Sequence, residues 1–276
     1  MNVFFIVLIS VLSFLFLLFL VYIFLLGTRS RKEEMEKYKS LNYAHRGLHD
    51  EKREENSLSA FRAAVEAGYA IELDVRLSSD GELVVFHDDT LDRVCGVSGR
   101  VDEKTADELS KIKLGKTEDT IPTFKKVLSL VDGRVPLLVE IKEDAGKYGV
   151  TEKCVEVLRS YKGDFIIESF NPLALARVKK LMPEALRGVL SESFLKEKQY
   201  RSPTHFLLSI LALNFLCRPD FIAFNHKHYK NGALRLARGL FGVPTLAWTS
   251  RSEEEHEAAK KHGFDGIIFE NYIPRG

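Results

Sequence analysis

The chain has 276 residues, which is enough for one large α/β barrel or for two smaller domains. Its formal net charge of +1 argues against a surface that binds polyanions, so nucleic acid is excluded as an expected partner. The three cysteines, Cys95, Cys154 and Cys217, are widely spaced and form no C-x-x-C pair. This pattern indicates unpaired thiols in a reducing compartment rather than a disulfide framework.

The first predicted element is an apolar helix, Val3–Leu26, whose 24 residues carry no charge. At 1.5 Å per residue it would be about 36 Å long, enough to cross a hydrocarbon core of about 30 Å with some tilt. A cleaved signal peptide is the alternative, but such a peptide begins with basic residues and has a shorter apolar run. We therefore expect residues 1–27 to form a retained transmembrane anchor.

Basic residues follow the apolar run directly at Arg29, Arg31 and Lys32. Under the positive-inside rule these residues stay in the cytoplasm, so we expect a single-pass membrane protein whose folded part is cytoplasmic. Residues 28–40 are interpreted as a polar juxtamembrane linker that has room for a short helix. Residues 41–276 are then expected to form one domain.

From Leu41 onward, short apolar or β-branched runs alternate with amphipathic segments, the signature of βα units around a parallel sheet. Nine strands are predicted, at Asn42–His45, Ala70–Val75, Leu83–His87, Leu137–Ile141, Phe165–Ser169, Leu186–Leu190, Phe221–Phe224, Thr245–Trp248 and Gly266–Phe269. Helical patterns lie between them at Ser57–Ala67, Thr151–Tyr161, Pro172–Leu181 and Glu253–His262.

The third predicted strand is explained by a hairpin. The link Ser78-Ser79-Asp80-Gly81 between it and the second strand is too short for a parallel crossover, and Asp80-Gly81 is a strong hairpin signal. The remaining eight strands fit a TIM (β/α)8 barrel. An open doubly wound sheet is the alternative, but its usual Gly-rich first turn is missing from this sequence.

The hairpin also predicts which side chains face each other. With Asp80 and Gly81 at the centre of the turn, Asp74 is expected opposite His87, and Glu72 points the same way because side chains alternate between faces. Three ionisable groups would then converge at the carboxyl end of a barrel strand, where such folds build active sites. Burying them without partners is costly, so we expect a cation or a polar ligand there.

Polar residues also end the neighbouring strands. His45 and Arg46 close the first strand, but a lone His-Arg-Gly is weak evidence of a function. Glu140 and Lys142 end the next barrel strand, where a surface salt bridge is the simpler interpretation. The functional interpretation is a set of oxygen ligands that favours Ca²⁺ or Mg²⁺ over softer metals. Its members are Glu72, Asp74 and Glu140.

Together these motifs resemble the glycerophosphodiester phosphodiesterase family, and they follow its order along residues 41–276. The resemblance is carried by His45-Arg46-Gly47, Glu55-Asn56, Glu72-Leu73-Asp74-Val75, Asp80-Gly81, His87-Asp88, Glu140-Ile141-Lys142, Ser169-Phe170, Trp248-Thr249 and Phe264-Asp265-Gly266-Ile267-Ile268. It implies a TIM barrel with a small insertion, about residues 88–120, that caps the barrel mouth. It also implies hydrolysis of deacylated phospholipids to glycerol 3-phosphate and an alcohol.

The resemblance assigns a chemical role to five residues. His45 and His87 look like the general acid/base pair. One divalent metal ion is implied, and its ligands are Glu72, Asp74 and Glu140.

Five further residues are implied in substrate binding. Arg46 and Lys142 would hold the phosphate, and Trp248 would pack against the glycerol. Glu55 would support Arg46 or the first-strand loop, and Phe170 would form a wall of the pocket.

Residues 205–217 form a second apolar run, which is too short to span a membrane. A buried barrel helix is the simpler interpretation, and the alternative is an interfacial lid that dips into the bilayer and admits lysophospholipids. Besides the main function, two others stay open. They are a membrane-tethered lysophospholipase D or phospholipase, and a catalytically silent membrane-bound scaffold, against which the complete set of acidic residues and histidines argues. No oligomeric state is predicted.

Overall fold

Strands and helices alternate along the chain after an N-terminal apolar helix. The computed structural model describes residues 3–29, 31–144, 146, 148–196 and 202–275. The α-helices are α1 Val3–Leu26, α2 Lys32–Lys39, α3 Leu58–Ala67, α4 Asp92–Cys95, α5 Ala106–Leu109, α6 Phe124–Val131, α7 Val150–Leu158, α8 Pro172–Leu181, α9 Pro203–Ser209, α10 Asn214–Cys217, α11 Gly232–Phe241 and α12 Glu253–Lys261. Short 3-10 helices span Val101–Glu103, Phe194–Lys196 and His226–His228. The strands are β1 Asn42–Ala44, β2 Ala70–Leu77, β3 Leu83–Val85, β4 Leu137–Ile141, β5 Phe165–Ser169, β6 Arg187–Ser191, β7 Phe221–Asn225, β8 Thr245–Ser250 and β9 Gly266–Phe269.

Eight parallel strands of the described chain close into a barrel in the order β1-β2-β4-β5-β6-β7-β8-β9, and β9 pairs with β1. The ninth, β3, pairs antiparallel with β2 and stands outside this cylinder. The predicted TIM barrel is therefore confirmed. Because the barrel strands are parallel, their carboxyl ends meet at one rim, and the loops that follow them carry the side chains of that rim.

Local signals in the sequence place the helices of the outer layer. The Ser57 side chain accepts from Ala60 N at 3.1 Å and caps α3, whose apolar residues face the sheet. Asn171 caps α8 in the same way, and Pro172 occupies the first helical position, where its missing N–H is not needed. These caps fix where each helix begins and therefore where each rim loop ends.

The hairpin closes one residue differently from the prediction. Residues 79–81 form a three-residue turn in which Gly81 has a φ of 78°, a left-handed conformation that glycine adopts without strain. Phe86 N consequently donates to Asp74 O at 3.0 Å, so Phe86 lies opposite Asp74. The predicted pairing of Asp74 with His87 is wrong, and β3 ends before His87.

The segment predicted as a juxtamembrane linker contains α2, which closes the floor of the barrel. Met35 and Tyr38 are 0% and 4% exposed and pack among the inward-facing side chains of the strands. Arg31 binds both carboxylate oxygens of Asp220, at 2.6 and 2.8 Å, and also donates to the carbonyl of Ala185. These contacts tie the segment to the amino ends of β6 and β7.

Helix α1 is long and apolar enough to be a candidate membrane span, with a mean hydropathy of 3.2. A signal sequence near the N-terminus meets the same criterion. The side chains from Val3 to Val21 are exposed, while Leu26 is fully buried against the barrel. The helix therefore projects from the domain and is anchored to it at its last turn.

Two predicted features lie around the rim. The insertion after β3 contains α4 and α5 and has its own small apolar core, built around Phe86 and Leu109.

The second apolar run, residues 205–217, forms α9 and α10 in place of one continuous helix. Its later part is buried, as at Leu211, whereas Phe206 and Leu207 are exposed. The simpler interpretation of a buried helix thus describes only the second half of the run.

Candidate active site

Three carboxylates meet inside the rim of the barrel. Glu72 and Asp74 point inward from β2, and the parallel register places Glu140 of β4 beside Asp74. Their exposures are 2%, 0% and 6%, and one oxygen of each lies within 4.8 Å of the others. Three hard oxygen donors this close, shielded from water, form a set that fits Ca²⁺ or Mg²⁺. The acidic cluster expected from the sequence is present.

The carboxylates of this cluster differ in their protonation behaviour. Burial, followed by the charges of Asp74 and Glu140, raises the pKa of Glu72 well above its usual value. Burial likewise raises the pKa of Glu140 to about 7. Burial opposes ionisation of Asp74 too, but Lys142 and Arg46 hold its pKa well below the ordinary range. Crowded acids of this kind favour a bound cation, which relieves their repulsion.

Two cations stand beside the acids. Lys142 Nζ lies 3.1 Å from Asp74 Oδ1 and 2.7 Å from Glu140 Oε1. Arg46 Nε lies 3.4 Å from Asp74 Oδ2, while Arg46 Nη1 donates to Glu55 at 2.7 Å. Glu55 therefore contacts Arg46 directly. Both cations keep about an eighth of their side-chain surface exposed, toward the mouth.

The loop after β1 adopts an unusual backbone conformation to bring these groups together. Arg46 has a φ of 55°, and its N–H donates to Glu72 Oε2 at 2.9 Å. Gly47 follows with a φ of 83°, and a Cβ there would lie 3.0 Å from atoms of Ala60 and Phe61. The glycine of the His-Arg-Gly motif is required because the loop passes so close to α3.

His45 is held at the end of β1 by a carboxylate from the last strand. Its Nδ1–H donates to Glu270 Oε2 at 2.5 Å, and its Nε2 lies 4.0 Å from Glu72. Burial lowers the pKa of His45, and the hydrogen bond to Glu270 opposes this shift. A carboxylate can only accept, so Nδ1 carries the hydrogen and Nε2 is left to face the acidic cluster.

His87 has a similar arrangement, with a carboxylate at its Nδ1 atom. Its Nδ1 lies 2.6 Å from Asp88 Oδ1, and Arg93 of the insertion donates to the same carboxylate. Burial lowers the pKa of His87 to about 4, although the charge of Asp74 opposes this shift. The shifted hairpin register does not remove His87 from the site, since its side chain lines the same cavity as His45.

These groups surround one cavity of about 160 Å³ at the rim. Phe170 and Trp248 form its apolar wall, with ring centroids 5.5 Å apart and nearly perpendicular planes. Eight of the ten residues predicted for the site line the cavity, and the other two, Asp74 and Glu55, lie directly behind them. The lining residues among the ten are His45, Arg46, Glu72, His87, Glu140, Lys142, Phe170 and Trp248.

The sequence interpretation missed three residues of the site. Glu168 of β5 pairs in register with Glu140, is 1% exposed, and burial raises its pKa well above the usual value. A carboxylate inside an apolar strand was its signal, the same signal that identified Glu72. Glu270 follows β9 directly, but only the contact with His45 gives it a role. Asn56, which the family motif included without a role, donates to Asp74 at 2.9 Å.

The chain matches known proteins over most of its length. Residues 45–273 match the model of the glycerophosphoryl diester phosphodiesterase family. A glycerophosphodiester phosphodiesterase of Caldanaerobacter subterraneus subsp. tengcongensis is 36% identical over 244 residues, which cover 83% of this chain and 93% of that protein. One from Bacillus subtilis is 27% identical over 255 residues, covering 84% of this chain and 83% of the relative.

Solved structures of other organisms share the fold. A phosphodiesterase of Oleispira antarctica, in complex with the product sn-glycerol-3-phosphate, has a TM-score of 0.72 at 24% identity and covers 85% of this chain and 94% of its own. The Thermotoga maritima glycerophosphodiester phosphodiesterase has a TM-score of 0.63 at 27% identity, with coverages of 83% and 93%. The chain therefore belongs to the glycerophosphoryl diester phosphodiesterase family and is an enzyme of that class, which confirms the resemblance of its motifs.

Proposed function

We propose that this enzyme hydrolyses glycerophosphodiesters to glycerol 3-phosphate and an alcohol with two histidines and one divalent cation. The observation that carries the proposal is the position of His45 and His87 around the cavity that also contains the acidic cluster. The cation, Ca²⁺ or Mg²⁺, would be held by Glu72, Asp74 and Glu140. Once bound, it would stabilise negative charge on the phosphoryl oxygens.

The side chains of the chain itself position the substrate. Arg46 and Lys142 offer positive charge at the mouth, so a phosphodiester anion would bind between them and the histidines. Trp248 and Phe170 provide an apolar surface for the glycerol carbons. Within the described residues, Trp248 Nε1 has no hydrogen-bond partner, which leaves it available to a substrate oxygen.

The histidines transfer protons through their Nε2 atoms. Glu270 and Asp88 hold the two Nδ1 atoms, so both rings are fixed in orientation and tautomer. Hydrolysis needs one base to take a proton from the attacking oxygen and one acid to protonate the departing alcohol. Two imidazoles around one phosphate can serve both needs, and each such group is typically worth about 10²–10⁴-fold in rate.

A lysophospholipid is the second candidate substrate, which would make the enzyme a membrane-tethered lysophospholipase D. The apolar wall favours it, because Phe170 also contacts Phe194, at 6.1 Å between ring centroids, which extends the apolar surface beyond the cavity. In this proposal α1 spans the membrane, and Arg29 and Arg31 keep the catalytic domain in the cytoplasm.

An assay of the full-length enzyme tests these proposals. Glycerophosphocholine, glycerophosphoethanolamine, glycerophosphoglycerol and a lysophospholipid would each be offered with Ca²⁺, Mg²⁺ or EDTA. We expect turnover that depends on the metal, and H45A and H87A should each lower kcat by about 10²-fold or more while the protein stays folded. A variant that keeps the wild-type rate removes that histidine from the mechanism, and no turnover with any substrate would favour a scaffold.

A further inference from the structure

A group of exposed apolar side chains lies on the outer face of the domain, beside α9. We name Leu195, Phe206 and Leu207 the α9 patch. Their exposures are 48%, 48% and 37%, and the 3-10 helix that carries Leu195 packs against α9. Lys196, also exposed, follows at the edge of the patch. Adjacent large apolar residues with a basic neighbour are typical of surfaces that contact anionic membranes.

The apolar helix α1 packs beside residues 210–214, which follow α9 along the chain. Asn214 Nδ2 donates to Leu26 O at 3.3 Å, and Tyr22 donates to Ile210 O at 3.0 Å. As α1 is followed from its last residue toward its first, its contacts therefore move from α10 toward α9. The helix leaves the domain in the direction of the patch.

The direction of this segment relative to the barrel is fixed by β6. Arg187, at the floor end of β6, donates to Cys217 O at 2.7 Å. Ser191, at the rim end of the same strand, donates to Leu208 O at 2.9 Å. The segment from 208 to 217 thus runs from the rim to the floor. Helix α1 lies beside it and, followed from Leu26 back toward Val3, runs from the floor to the rim. A bilayer that holds α1 would lie on the rim side, where the active site opens.

Aromatic rings connect α9 with the cavity. The His205 ring lies 5.6 Å from Phe194, Phe194 lies 6.1 Å from Phe170, and Phe170 lies 5.5 Å from Trp248. The opposite side of the mouth, formed by the insertion, carries charged side chains such as Arg93. The mouth is therefore apolar on the side of the patch and polar on the far side.

We propose that the α9 patch rests in the boundary between headgroups and acyl chains of the bilayer that α1 spans, so that the barrel mouth opens onto the membrane surface. The occupant of the patch is lipid, because the candidate membrane span α1 leaves the domain in the direction of the patch. The inference rests on the membrane anchoring proposed above and adds a second contact that sets the orientation of the domain.

Quenching of tryptophan fluorescence by brominated phosphatidylcholine tests the contact in full-length protein reconstituted into vesicles. The variants are F206W in the patch, V97W on the insertion and L12W within α1, and the native Trp248 gives the background in each. We expect F206W to be quenched nearly as strongly as L12W, and V97W to stay at background. Val97 is a matched control because it is also apolar and 44% exposed.

Each other outcome has a defined meaning. Quenching of L12W alone would retain the anchor and overturn the patch contact, and loss of quenching in L12W as well would overturn both. Concentration-dependent dimers that form through the F206W site without bromolipid quenching would make the patch a subunit interface and overturn the lipid assignment.

A second measurement uses activity. F206S/L207S should lower kcat/KM for lysophospholipid in vesicles by about tenfold or more relative to glycerophosphocholine in solution, since two large apolar contacts with the bilayer are lost. V97S should leave that ratio unchanged. An unchanged ratio in F206S/L207S would overturn the proposal.

Discussion

His45 Nδ1 and Glu270 Oε2 are 2.5 Å apart, across the joint between the first and last strands of the barrel. The two residues directly follow β1 and β9, and Ala44 pairs with Phe269 in the register of these neighbouring strands. Glu270 is also within 2.6 Å of Arg251 Nε. Burial opposes ionisation of Glu270, but the hydrogen bond from His45 and the charge of Arg251 hold its pKa below the usual value.

We predict that E270Q lowers kcat by about 10²-fold with little change in KM, because a Gln nitrogen in place of the accepting oxygen would disrupt the tautomer of His45. Steady-state kinetics across pH would show the loss together with a displaced acid limb. E257Q, an exposed glutamate on α12, should behave as wild type. Equal kinetics in E270Q and the wild type would show that Glu270 has no positioning role.

Removing one acid of the cluster should have opposite effects with and without metal. We predict that E72Q loses activity and loses the rise in Tm, about 5–10 °C at a metal concentration of about 100 times Kd, that Ca²⁺ or Mg²⁺ gives the wild type. Without metal, E72Q should be more stable than the wild type near neutral pH, because the buried Glu72 carboxyl must either keep a proton above its usual pKa or add charge to the cluster, and Gln avoids both costs. Thermal unfolding with EDTA and with each ion measures both effects. A metal response in E72Q equal to that of the wild type would rule out Glu72 as a ligand.

Helix α2 should contribute to the stability of the barrel, although it precedes residue 41, the predicted start of the domain. We predict that M35A lowers the free energy of unfolding by about 2–5 kcal/mol, because Met35 is fully buried and its removal leaves a cavity in the barrel. E33A, an exposed residue of the same helix, should change it by less than about 1 kcal/mol. Denaturation curves in urea compare them. If the two variants prove equally stable, α2 is not part of the core.

Acidification should destabilise the folded protein through the half-buried imidazole of His87. Its pKa in the folded protein is about 4, below the ordinary value of 6.5, so between these values the unfolded chain binds a proton that the folded protein does not. The free energy of unfolding must therefore fall as pH falls from about 6.5 to about 4. We predict a shallower fall for H87Q than for the wild type, measured by urea unfolding in EDTA. Parallel pH profiles would show that His87 is not protected from protonation.

Much of the fold followed from local patterns. The boundaries of β4, β5, β9 and α8 agree with the predicted ones. The strands are apolar runs bounded by turn residues, and α8 begins at the Asn171-Pro172 cap. Each of these signals depends only on residues that are close together in the sequence. The barrel itself followed from counting strands after the Asp80-Gly81 hairpin was set apart. The hairpin register did not follow, because a three-residue turn with Gly81 in the left-handed region competes with a two-residue turn for the same dipeptide.

The sequence by itself determined the alternation of strands and helices, the apolar N-terminal helix, and the acidic and basic residue types at the strand ends, since each depends on short-range periodicity and composition. Only the tertiary structure decided the contacts of the site beyond the expected acidic cluster. Glu270 reaches His45 because closure of the barrel joins its first and last strands, and Met35 enters the floor because α2 folds back under the sheet. Contacts between residues so far apart along the chain depend on the three-dimensional closure of the barrel, and no local pattern in the sequence specifies them.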